Sequence, residues 1–125
     1  MKKRILIIED NEDICRLLSI RLESHGFEVL TALDGQEGLD MIESEKPHLI
    51  ILDLFLPRIS GEDVCKAVRE SQNKAISSIP IIMLTSKRSE VDRIIGMVIG
   101  ANAYIEKPFD PEYLLEQVGK CLQFF

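Results

Sequence analysis

At 125 residues, with 46% hydrophobic and 29% charged side chains, the chain has the size and composition of one globular domain, which excludes a disordered segment and a membrane-embedded protein. Twenty-one acids against fifteen Lys plus Arg leave a formal charge of −6, without the basic footprint that phosphate backbones require, so direct nucleic-acid binding is not expected. No stretch approaches the ~18 consecutive apolar residues of a membrane span, and the apolar run after Met1-Lys2-Lys3-Arg4 stops at Glu9-Asp10, too short for a signal-peptide core; no membrane contact and a cytoplasmic location are expected.

The first strand-length run is Arg4 to Ile8, apolar throughout after the arginine. Ile14, Leu17, Leu18, Arg21 and Leu22 follow at helical spacing, which predicts a helix with four of those five facing the core and Gly26 as its C′ residue. Phe27 to Thr31 alternates, as an edge strand does, whereas His48 to Leu52 and Pro80 to Leu84 are nearly continuous in apolar residues and need cover on both faces. Gln72 to Ile79 is expected to be the longest irregular stretch. A helix carrying Val91, Ile94, Ile95, Val98 and Ile99 leads to a fifth run, Ala103 to Ile105. Asp110 then caps a last helix with Pro111 at its first position and a stripe of Leu114, Leu115, Val118, Leu122 and Phe125. Strand and helix alternate with no linker or low-complexity segment, which predicts a single α/β domain over residues 1–125 built on a parallel sheet.

In parallel α/β sheets ligands bind beyond the carboxyl ends of the strands. Glu9-Asp10 follows the first run, Asp53 the third, Thr85-Ser86 the fourth and Glu106-Lys107-Pro108 the fifth. Three neighbouring carboxylates raise one another's pKa unless a cation neutralises them, and Mg2+ favours such oxygen ligands together with a phosphate oxygen. One carboxylate can then attack a phosphoryl group while metal, lysine and hydroxyl stabilise the transferring oxygens, giving an aspartyl phosphate. Cys15, Cys65 and Cys121 are odd in number and widely spaced, which fits core or surface residues and neither disulfides nor zinc. His25 and His48 lack partners at metal-ligand spacing.

Glu9-Asp10, Asp53-Leu54-Phe55-Leu56-Pro57 followed by Gly61, Thr85-Ser86 and the run from Gly100 to Phe109 together resemble the receiver domain of two-component response regulators, of the chemotaxis-regulator type. The resemblance covers about residues 3 to 122. It implies a flavodoxin-like (βα)5 three-layer sandwich with five parallel strands in order 2-1-3-4-5. It also implies Asp53 as phosphoacceptor, Asp10, Asp53 and the main-chain carbonyl of Phe55 as Mg2+ ligands with Glu9 acting through water, and Thr85 and Lys107 on the phosphoryl group. Such a domain takes its phosphoryl group from a histidine kinase or histidine phosphotransfer protein and catalyses only its own phosphorylation and dephosphorylation. In the family the hydroxyl at Thr85 moves to the phosphate and the aromatic at Tyr104 follows, remodelling the face of the fourth predicted helix, fifth strand and fifth helix toward an effector or a homodimer. Ser86 and Asn102-Ala103 depart from the commonest family residues by small substitutions, and Lys107-Pro108 resembles the family's cis peptide.

Met97 lies outside the apolar stripe of the fourth predicted helix, so with Ile94 or Ile99 it is expected to serve a partner or dimer surface. Lys87-Arg88 reads as a solvated pair, with Lys87 and Phe55 flanking the phosphate mouth. The last helix offers only Glu112, Glu116 and Lys120 for charged dimer contacts, which speaks against the DNA-binding subclass. A haloacid-dehalogenase-like phosphatase or a Toprim enzyme would need a second Asp where Phe55 stands, and the acids after the first strand would repel a flavodoxin's phosphate. A pseudo-receiver that only docks proteins is the rival from another class. Catalytic or DNA-binding output is expected in another polypeptide or segment.

Overall fold

Successive side chains of a strand point to opposite faces, so a run apolar at every position is stable only with helices on both sides. The computed structural model describes residues 2–86 and 99–123 and supplies that cover. Its strands are β1 (Arg4–Ile8), β2 (Glu28–Ala32), β3 (Leu49–Asp53), β4 (Ile81–Thr85) and β5 (Ala103–Glu106). They form one sheet in the order β2-β1-β3-β4-β5, every neighbouring pair parallel, as expected. Leu6, Ile8, Ile50, Leu52, Ile81 and Met83 face one layer. Ile5, Ile7, Leu49, Ile51, Ile82 and Leu84 face the other.

The described helices are α1 (Glu12–Ser24), α2 (Gly35–Glu45), α3 (Gly61–Arg69), a single turn α4 (Lys74–Ser77) and α5 (Pro111–Leu122). Ile42 of α2, Val64, Cys65 and Val68 of α3 and Ile76 of α4 close the first layer. Cys15, Leu18 and Leu22 of α1 and Leu114, Leu115 and Val118 of α5 close the second. Each helix begins on a side chain that accepts otherwise unpaired N–H groups: Asn11, Asp34, Ser60, Asn73 and Asp110. Gly26 follows the end of α1 with φ of +89°, the expected C′ position.

Two expectations are corrected. The buried face of α1 is turned toward Cys15, so Leu17 is 44% exposed, while Arg21, outside the core as expected, pairs with Glu112 of α5 at 3.2 Å. Within Gln72 to Ile79, Asn73 accepts the Ala75 N–H at 2.9 Å and starts α4, whose Ile76 plugs the core, so the stretch is not irregular throughout. The expectations for Lys87, Arg88, Val91, Ile94, Ile95, Met97, Val98 and Phe125 lie outside the described residues. All three cysteines are free, and burial pushes their thiols up.

At the amino end of β3, Nδ1 of His48 accepts the Arg4 N–H at 3.0 Å and must be unprotonated to do so. Partial burial, then the charges of Lys3 and Arg4, hold its pKa below the usual 6.5. The unfolded chain therefore takes up a proton that the fold resists. The stability contributed by neutral His48 is full above about pH 6.5 and is lost as pH falls through the lower folded value. His48→Asn keeps an acceptor at this point and cannot titrate, so its Tm is expected to fall less steeply than wild type between about pH 7 and 5. Parallel slopes in thermal unfolding would contradict this.

Candidate functional site

The chain leaves β1 toward one edge of the sheet and β3 toward the other, which opens a crevice between their carboxyl ends. Ile8 pairs with Leu52, so Glu9 and Asp53 emerge side by side, and the Glu9 N–H is fixed to the Ala32 carbonyl at 3.0 Å. One carboxylate oxygen from each of Glu9, Asp10 and Asp53 lies within 4.8 Å of the others. Glu9 and Asp53 are buried and Asp10 is exposed, so the group is open on one side.

Lys107 reaches the acids from the end of β5. Its N–H donates to the Thr85 carbonyl, its peptide bond to Pro108 is cis, and its Nζ donates to Glu9 Oε1 at 2.5 Å and lies 3.5 Å from Asp53 Oδ2. Burial pushes the Glu9 carboxyl up to about 7, against the opposing hydrogen bonds from Lys107 and from the Asn11 N–H at 3.1 Å; the charge of Asp53 adds to the rise. One lysine thus faces two buried carboxylates with a third beside them. The donor set is hard oxygen with excess negative charge, which is the kind of set that fits Mg2+.

The loop after Asp53 is built to hold that carboxylate. Phe55 N–H donates to Asp53 Oδ1 at 3.3 Å, Leu54 N–H to the Leu84 carbonyl at 2.8 Å and Gly61 N–H to the Leu54 carbonyl at 3.0 Å. A Cβ at residue 61 would lie 2.2 Å from the Asp53 carbonyl oxygen and 2.8 Å from Leu54 Cα, backbone that cannot yield, so glycine is required there. The Phe55 ring is 45% exposed at the rim. Asp53 pairs with Leu84, which brings the fully buried Thr85 to the same edge. Tyr104 lies opposite Met83 in β5 and packs, half-buried, on the side of α2 and α3.

Glu9, Asp10, Asp53 and Lys107 therefore converge as the strand ends suggested. Sequence inspection missed the roles of Asn11, which caps α1 through Oδ1 and holds Glu9 through its N–H, and of Cys15, whose thiol donates to the Glu9 carbonyl at 3.3 Å. An Asn before a helical stripe was the available signal for the first. The Cys15 thiol is pushed up to about 11, first by burial and then by Glu9, Asp10 and Glu12, so it is no nucleophile at neutral pH. An apolar groove of about 390 Å3, lined by Ile14, Leu17, Ser86, Lys107, Pro108 and Phe109, shares Lys107 with the acidic site.

Residues 5–119 match the response regulator receiver domain family. The chain is 42% identical over 123 residues to the alkaline phosphatase synthesis transcriptional regulatory protein PhoP of Bacillus subtilis, covering 98% of this chain and 50% of that protein. It spans about half the length of the curated relatives it matches. Chemotaxis protein CheY4 of Vibrio cholerae superposes with a TM-score of 0.89 at 33% identity, over 98% of this chain and 100% of that one. The receiver domain of sensor histidine kinase PA1611 from Pseudomonas aeruginosa, with a magnesium ion coordinated in its active-site cleft, gives 0.88 at 27% identity, over 98% and 99%.

Proposed function

The chain belongs to the response regulator receiver domain family, whose function is to accept a phosphoryl group, and from that premise we propose that Asp53 is the acceptor in this protein. The convergence of Glu9, Asp10, Asp53 and Lys107 from three strand ends carries this reading. An Asp53 carboxylate oxygen attacks phosphorus, the P–N bond of a donor phosphohistidine breaks, and the electron pair leaves with the imidazole, which gains a proton. Asp10, Asp53 and the Phe55 carbonyl would hold Mg2+, with Glu9 acting through water, and the bound ion would supply positive charge for the phosphoryl oxygens. Lys107 supplies a second positive charge to those oxygens and the Thr85 hydroxyl a hydrogen bond.

The phosphoryl group adds roughly −1.5 to −2 charges, enough to draw Thr85 toward it. Tyr104 follows into the space released, and the face containing β5, α5 and the fourth predicted helix presents a new surface to an effector or a second copy. The donor is a sensor histidine kinase or a histidine phosphotransfer protein, and the domain catalyses only its own phosphorylation and dephosphorylation. Residues 1–125 act as a single receiver domain, and the similarity to PhoP supports a transcriptional output carried elsewhere. No described helix is long and apolar enough to cross a membrane.

The test is direct. In MgCl2 and acetyl phosphate the protein is expected to gain the mass of one phosphoryl group in intact mass spectrometry, and with EDTA in place of Mg2+ it is expected to gain none. An unmodified mass in Mg2+, together with no response to beryllofluoride, would return the chain to a docking module without phosphotransfer.

A further inference from the structure

The loop between β3 and α3 carries both Asp53's backbone continuation and the Phe55 carbonyl. Its base is tied by the Leu54 and Gly61 hydrogen bonds already described. Its far arc rests on the start of α2. An ideal Cβ at Gly35 would lie 2.5 Å from the Ile59 carbonyl oxygen and 2.8 Å from Ile59 Cβ, so α2 can approach this closely only through a residue with no side chain. Beside the contact, Asp34 caps α2 by accepting the Glu37 N–H at 2.8 Å and keeps its other oxygen 4.0 Å from the Arg58 guanidinium. Arg58 has φ of 69° in the left-handed region, so the arc reverses direction next to the contact.

We infer that Gly35 is a positioning residue for the phosphoacceptor site: its missing side chain lets the first turn of α2 serve as a backstop that holds the Leu54–Ser60 arc, and with it the Phe55 carbonyl, against the acidic pocket. This rests on the reading of Asp53 and Phe55 given above. With the base of the loop tied at Leu54 and Gly61, an outward push at Ile59 has no route of relief except the residues between them. Metal affinity is sensitive to groups that orient ligands without touching the ion. Gly38, one turn further along α2, is the internal control: a Cβ there would meet the Ile8 side chain at 2.5 Å, inside the core and away from the loop.

The experiment is an amide chemical-shift titration with MgCl2 on the intact chain, beside thermal unfolding of each variant. Gly35→Ala is expected to bind Mg2+ roughly 10-fold more weakly and to shift the amides of residues 54–60 before any metal is added. Ile59→Gly removes the Cβ from the loop side of the same contact and is expected to weaken Mg2+ in the same direction, so it decides the matter alone if Gly35→Ala does not unfold cooperatively. Gly38→Ala, even where it lowers Tm as much, is expected to stay within about twofold of wild type in Mg2+ affinity. Wild-type affinity in Gly35→Ala or Ile59→Gly, or an equal loss in Gly38→Ala, would overturn the inference and leave the acceptor reading intact. A wild-type protein with no Mg2+-dependent shifts would overturn both.

Discussion

Asp53→Asn is expected to take up no phosphoryl group from acetyl phosphate and MgCl2, and Lys107→Met to be labelled about 10²–10³-fold more slowly than wild type while reaching the same one-phosphoryl end point. The amide of Asn keeps the oxygen that accepts the Phe55 N–H at 3.3 Å, so the loop stays formed. What it lacks is a carboxylate oxygen able to bond phosphorus, and none of the other groups on the rim can restore that. Labelling of Asp53→Asn would move the acceptor to Asp10 or Glu9, the other acids of the cluster. Lys107→Met leaves the nucleophile and removes the charge that faces it. In the structure the ammonium lies nearer to Glu9, at 2.5 Å, than to Asp53, at 3.5 Å, so two roles compete: neutralising a buried acid and stabilising the transferring oxygens. A time course by intact mass separates them. A wild-type rate in Lys107→Met would assign the lysine to Glu9 alone.

The sheet was legible in the sequence because its signal is local. Ile5 to Ile8, Leu49 to Leu52 and Ile81 to Leu84 are apolar at every position, and β2, whose pattern alternates, lies at an edge. The acids at the rim were legible for a related reason: parallel strands deliver whatever follows each apolar run to one side. Side-chain rotation was not. In α1 both the stripe through Leu17 and the one through Cys15 satisfy helical spacing, and only the packing of Cys15, Leu18 and Leu22 on Ile5, Ile7 and Ile51 chooses between them. Contacts fixed by distant backbone left no pattern to find. Gly35 reads as an ordinary helix start until Ile59 is placed against it. Lys107 reads as a cation at a strand end, with nothing to say that its first partner is Glu9. A short helix of four residues has too few positions for a period, and α4 was accordingly missed.

Arg69 belongs to the same class of residue, and Arg69→Met is expected to lower stability by about 3 kcal/mol, or Tm by roughly 10 °C. From the last turn of α3 its Nε donates to the Gly100 carbonyl at 2.9 Å, one terminal nitrogen to the carbonyls of Ser77 and Ile79 at 3.1 and 2.7 Å, and the other to Asn102 Oδ1 at 2.8 Å. Asn102 in turn accepts the Ile81 N–H at 2.8 Å and donates its own N–H to the Ile81 carbonyl. One guanidinium thus ties the end of α4, the entrance of β4 and the turn into β5. A charged donor contributes about 1.5–3 kcal/mol per hydrogen bond where water is excluded, but Arg69 is only half-buried and its bonds are not additive, so the total falls well below their sum. Methionine keeps an apolar stem of similar length beside Gly100 and removes the donors. A double-mutant cycle with Asn102→Ala is expected to show about 1 kcal/mol of coupling between the two side chains, because each loses a partner when the other is replaced. Urea unfolding of the four proteins measures it. A loss under about 1 kcal/mol in Arg69→Met would mean that water satisfies the freed carbonyls and that α3, not its arginine, holds the β4 and β5 entrances in place.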